Sequence, residues 1–198
     1  MALGQVLGGF GLGSVLSIGS LLAEDLSGTE AWAGAAATFS TLGAATWAIP
    51  LSRLAYSRGR RPALATGAAF AISGALLVIE AAHLRFFPLL LLAIFLLGAG
   101  SATGLQARFA ATDIPVQGRQ GKSIGLVVWA TTVGAVTGPN LFGPGDALGS
   151  LLGLPHLTGP FLFTVAAQLS STLVDRKSTR LNSQSRQYLV CRLLLEKK

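Results

Sequence analysis

Apolar residues in this chain fall into long unbroken blocks separated by short polar interruptions. The blocks cover residues 2–23, 31–51, 62–79, 88–107, 124–143 and 160–174. At a rise of about 1.5 Å per residue, about twenty apolar residues match a hydrocarbon layer roughly 30 Å thick. The first five blocks have that length, whereas the sixth is cut short after residue 174. Runs such as PLLLLAIFLLGAG show no alternation of apolar and polar positions, which excludes the pattern of a membrane β-barrel. The pattern predicts an all-α, polytopic membrane protein with about six transmembrane helices. The interruptions are predicted loops: an acidic one holding Glu24, Asp25 and Glu30, a basic one at 52–62 (SRLAYSRGRRP) and a brief turn at 80–87 (EAAHLRFF). A second basic loop follows at 113–122 (DIPVQGRQGK), then a Gly/Pro-rich loop at 143–159.

Composition supports this class. The 198 residues are 51% hydrophobic and only 12% charged, with a mean hydropathy of +0.60. Such values lie outside the range of soluble domains. The 25 glycines suit membrane helices, where a missing side chain lets backbones approach closely. A signal peptide is the rival reading for the first block, but MALGQ lacks the basic start that such peptides carry.

The charges orient the helices. Up to Val174 the chain has eight Arg and Lys: Arg53, Arg58, Arg60, Arg61, Arg85, Arg108, Arg119 and Lys122. All but Arg85 lie on one side if the two basic loops share a side, and the positive-inside rule makes that side cytoplasmic. Phe86 and Phe87 fall at the opposite interface, where aromatic belts form. The expected location is therefore the plasma (inner) membrane, with lipid as an immediate partner. The net charge of +7 is no sign of nucleic-acid binding, because most of it sits beyond residue 174 and no basic face interleaved with aromatics appears before it.

Two motifs now carry a resemblance. In the first basic loop, Arg58, Gly59, Arg60 and Arg61 resemble the end of the loop signature of the major facilitator superfamily. Ser52, Tyr56 and Ser57 replace that signature's leading Gly, its Asp and the following Arg. In the fifth block, GLVVWATTVGAVTGPNLFG resembles the superfamily's antiporter signature. Gly125, Gly134, Gly138, Pro139 and Gly143 match in register, and Phe142 replaces the first glycine of the closing pair. Gly134 and Gly138 lie one helical turn apart and form a small groove for close helix contact. Pro139 removes a backbone donor and bends the helix near its outer end. Arg108, Asp113 and Arg119 resemble the end of the fourth helix and its loop in facilitator exporters; Arg108 either pairs with Asp113 or snorkels to headgroups.

The resemblance covers almost all of the apolar chain, is closest to actinobacterial-type members, and corresponds to the first six helices of a fold that normally has twelve. It implies a secondary transporter that works by alternating access, exporting an unidentified small molecule with the proton as candidate coupling ion. It also implies that a missing C-terminal half or a dimer partner completes the pathway. Gln5, Thr41, Gln106, Thr131 and Thr132 are candidate pathway residues, each equally suited to a helix–helix hydrogen bond. No ionisable residue falls at mid-depth in the first five helices, so the resemblance suggests exchange without locating a proton site. A non-transporting membrane scaffold and an importer on the same fold are the alternatives.

Other chemistry is not expected. Gly121-Lys122-Ser123 lacks the leading glycine of a phosphate-binding loop, since Val116 stands there. His83 and His156 fall singly in loops, away from any acid cluster, and Cys191 is the single cysteine. The sequence thus predicts no enzyme, no catalytic residue, no metal site and no cofactor. Residues 175–198 (DRKSTRLNSQSRQYLVCRLLLEKK) break every trend and resemble translated sequencing adapter. A non-native tail is expected there.

Overall fold

The computed structural model describes residue 13 and residues 17–112, 120–140 and 142–170, and every regular element among them is helical. Helix α1 covers 17–27, and a short 3₁₀ turn at Glu30–Trp32 leads to α2, Ala35–Arg58. Then come α3 (Arg60–Leu84), α4 (Phe87–Thr112), α5 (Gln120–Asn140) and α6 (Phe142–Leu151). Residues 159–170 form α7.

Apolar surroundings leave the backbone no solvent to bond with, so continuous helix is the state that satisfies it. The hydroxyls inside these helices satisfy themselves in the same way. Thr46 donates to the Leu42 carbonyl at 2.8 Å, Thr66 to Pro62 at 2.7 Å and Ser73 to Ala69 at 2.9 Å. Two described helices, over Pro62–Leu84 and Phe87–Gln106, are long and apolar enough to cross a membrane by length and composition. At 24 residues α2 is long enough too, but its many Ala, Thr, Ser and Gly residues lower its hydropathy.

The helices run further than the apolar blocks. The basic loop expected at 52–62 is almost wholly helical: α2 ends at Arg58, α3 begins at Arg60, and Gly59 alone separates them. Its φ of 93° and ψ of 167° are open to glycine and strained for other residues. At the far end of α3, Glu80–Leu84 continue the helix, and the turn shrinks to Arg85 and Phe86. Arg85 adopts the left-handed conformation at φ 49°. The region expected as a Gly/Pro-rich loop contains α6. Pro144 lies within it. The common cause is that a charge marks where apolar surroundings end, while backbone hydrogen bonding continues past it.

α2, α3 and α4 form the centre, each packed on the other two. Glycines set their spacing. A Cβ on Gly98 of α4 would stand 2.6 Å from the Ala44 nitrogen of α2, and one on Gly74 of α3 would stand 2.8 Å from the Ala93 oxygen of α4. Gly43 of α2 rests directly on the Phe95 carbonyl. Beside these contacts the Trp47 ring lies on Phe70, with centroids 4.2 Å apart. Ile18 and Leu22 of α1, Val78 of α3, Leu90 and Ile94 of α4 and Phe161 of α7 are buried together towards the Arg85 end.

Candidate functional site

The antiporter-like segment is spread over α5 and the start of α6. Gly134 and Gly138 are buried, while Gly125, Pro139 and Gly143 are exposed. Gly13 lies against this segment: a Cβ there would stand 2.6 Å from the Ala135 carbonyl oxygen and 3.1 Å from Cδ of Pro139. Helical Gly13 therefore packs on α5 beside the two buried glycines. Among the described residues, none comes within 4 Å of a Cβ built at Gly125 or Gly143. Pro139 lies in the last turn of α5, which ends at Asn140, and α6 begins at Phe142. Pro139 thus lies inside α5, and the Asn140 side-chain amide donates to the Val136 carbonyl at 2.9 Å.

The basic motif lies at the opposite end of α3 from Arg85. Arg58 is exposed at the end of α2, Gly59 makes the break, and Arg60 and Arg61 open α3. Tyr56, where the loop signature has an acid, is 96% exposed. Arg108 belongs to α4, and Asp113 and Arg119 lie outside the described residues, as do Gln5 and the tail from 171 onward. Of the other pathway candidates, exposed Thr41 and Thr132 donate to their own helices, to Ala37 at 2.8 Å and Val128 at 3.0 Å. Gln106 differs, since its buried Nε2 finds no acceptor among the described residues.

Sequence reasoning missed an arrangement at the Arg85 end. His156 was expected to stand apart from acids, yet its Nε2 lies 3.1 Å from Oδ2 of Asp146. Asp146 belongs to α6, so folding of the expected loop into a helix creates the pair. The Asp146 Oδ1 accepts the Leu157 backbone N–H at 3.1 Å. Asp25 and Arg85 pair at 3.2 Å across the outer ends of α1 and α3. Asp25, Arg85 and His156, with His83, Leu22 and Ala82, border a cavity of about 510 Å³. Among the described residues no group of three His, Cys, Asp or Glu could hold a metal ion.

Over 174 residues, 88% of its length, the chain is 36% identical to a Bacillus subtilis (strain 168) protein named "Uncharacterized MFS-type transporter YdeG". Over 170 residues it is 35% identical to a second from that organism, "Uncharacterized MFS-type transporter YddS". The similarity supports membership of the major facilitator superfamily. It covers 40% and 39% of those two proteins, so the chain spans about two fifths of the length of the curated relatives it matches. No family model matches the chain, and no solved structure does. Homology to major facilitator transporters, together with two helices of membrane-crossing length, makes this a membrane protein. The all-helical architecture of the described residues is consistent with half of that fold.

Proposed function

We propose that the chain is one helical bundle of a major facilitator transporter that exports a small molecule across the plasma membrane by alternating access. The observation that carries this reading is the 36% identity to an MFS-type transporter over 88% of the chain. The seating of Gly13 on Ala135 and Pro139 lends support, because a glycine-lined contact of this kind allows one helix to roll on another without side chains interlocking. In this reading the Gly59 end faces the cytoplasm, and a second six-helix bundle or a second copy completes the pathway. A proton is the candidate counter-ion, with its ionisable site in the completing bundle.

Sequencing the native locus on both sides tests the reading. The expected result is one frame that continues through a basic linker into six further hydrophobic segments. A native stop directly after α7, combined with no saturable flux of a labelled-compound panel into proteoliposomes holding the cross-linked dimer, would overturn it in favour of a scaffold. Saturable flux from protein shown to be monomeric would overturn the two-bundle mechanism.

A further inference from the structure

Four arginines gather where α2 gives way to α3. Arg53 and Arg58 lie in the last two turns of α2, Arg60 and Arg61 open α3, and Gly59 alone separates the helices. The cations are therefore carried by two helix ends instead of a loop. Arg53 and Arg58 are exposed, and neither side chain has an ion pair or hydrogen bond with a described residue. Tyr56, where the loop signature has an acid, is 96% exposed and offers no counter-charge. The described carboxylates, Glu24, Asp25, Glu30, Glu80 and Asp146, belong to the opposite end of the bundle. Guanidinium groups keep their charge in proteins, so proton loss cannot relieve the repulsion within the cluster. An anion from outside the chain can.

The surroundings fix what kind of anion fits. The membrane-crossing stretch of α3 begins at Pro62, immediately after Arg61, so the cluster stands at the edge of the hydrocarbon layer. Arg53 lies about 7.5 Å from Arg58 along α2, in the direction of that layer. Ile49, 60% exposed, follows one turn deeper. Along this side of α2, apolar surface thus gives way to a guanidinium and then to an open corner, where no described residue comes within 4 Å of a Cβ built at Gly59. That is the order of acyl chain, phosphate and headgroup in a phospholipid. We propose that the α2–α3 corner binds an anionic phospholipid, its phosphate held by Arg53, its first acyl carbons on Ile49 and its net charge matched by Arg58, Arg60 and Arg61. A guanidinium presents paired N–H donors to two phosphate oxygens. Basic clusters next to a membrane helix recruit anionic lipid for the same electrostatic reason. A zwitterionic headgroup would carry its own cation into the cluster, so phosphatidylglycerol is favoured over phosphatidylethanolamine and phosphatidylcholine.

The site rests on the membrane-embedded reading of the chain and is independent of transport, so an absence of flux would leave it standing. Native mass spectrometry tests it on the 198-residue protein in detergent micelles, with equimolar phosphatidylglycerol, phosphatidylethanolamine and phosphatidylcholine of identical acyl chains. One arginine near an anionic surface is worth about fivefold in binding. Phosphatidylglycerol should therefore be retained more than about fivefold over phosphatidylcholine. Arg53→Gln combined with Arg58→Gln should abolish that preference while phosphatidylcholine retention stays the same. Lys197→Gln combined with Lys198→Gln, which removes equal charge at the C-terminus, should keep it. A wild type without preference, a preference that survives in the arginine variant, or an equal loss in the lysine variant would each overturn the proposal. So would displacement of the lipid by equimolar glycerol 3-phosphate, which would make the corner a site for soluble phosphate esters, or a lipid-free dimer mass, which would give it to a second copy.

Discussion

Gly13 rests on the carbonyl oxygen of Ala135, so closely that a Cβ at Gly13 would stand only 2.6 Å from it. The obstacle is backbone rather than a flexible side chain, so a larger residue must push the backbone at Gly13 away from α5. Gly13→Val should destabilise the bundle by about 1–3 kcal/mol, the usual cost of overpacking. A lowered thermal midpoint in detergent checks this. An unchanged midpoint would mean that the two segments separate freely.

Two motif glycines should behave in opposite ways. Gly59 holds a φ of 93°, which penalises any residue with a Cβ, so Gly59→Ala should cost about 1–3 kcal/mol. Gly125 sits within α5 with no described residue within 4 Å of an added Cβ, and Gly125→Ala should stabilise the helix by roughly 0.5–1 kcal/mol. Paired thermal melts of the two variants decide the matter.

Gln106 buries an amide nitrogen that lacks an acceptor among the described residues. Replacing it with methionine removes the unsatisfied donor while keeping the length of the side chain. Gln106→Met should raise stability by about 1 kcal/mol. If Gln106 lines the pathway, the same change lowers flux in the completed transporter. A gain in stability without any loss of flux would assign it to packing alone.

The pair between Asp25 and Arg85 spans sixty residues of sequence, yet both side chains are more than half exposed. Solvent and salt screen it. Arg85→Ala should shift stability by less than about 1 kcal/mol, and the difference from wild type should fade as salt is raised. A larger, salt-independent loss would show that Arg85 matters through its left-handed backbone position instead.

Orientation can be read by labelling. Tyr56 and Leu152 are 96% and 63% exposed and lie at opposite ends of the bundle. In a Cys191→Ser background, a membrane-impermeant maleimide applied to intact cells should label Leu152→Cys at once. Tyr56→Cys should react only after permeabilisation. The reverse result would invert the proposed topology.

Much of this architecture is a property of the chain in one dimension. Apolar length, the bias of basic residues and the glycine spacing of α5 can all be counted along the sequence. The membrane class and the helical succession follow from them, because apolar surroundings force the backbone to bond within its own segment. The exact helix ends do not, since charges at 52–62 and 80–84 mark a change of surroundings without interrupting the helix. Nor does α6, whose Gly and Pro residues read as a loop until Gly145 and Gly149 are seen packed on Gly159 and Pro160. Which glycines carry contacts was decided by helix rotation: Gly13, Gly43 and Gly98 lie against backbone, whereas an added Cβ at Gly104 or Gly125 meets none of the described residues. The pairs Asp25–Arg85 and Asp146–His156 belong to the same class. They exist because helix ends distant in sequence, or a loop that folds into a helix, bring charges together at one end of the bundle, and only three-dimensional packing sets that distance.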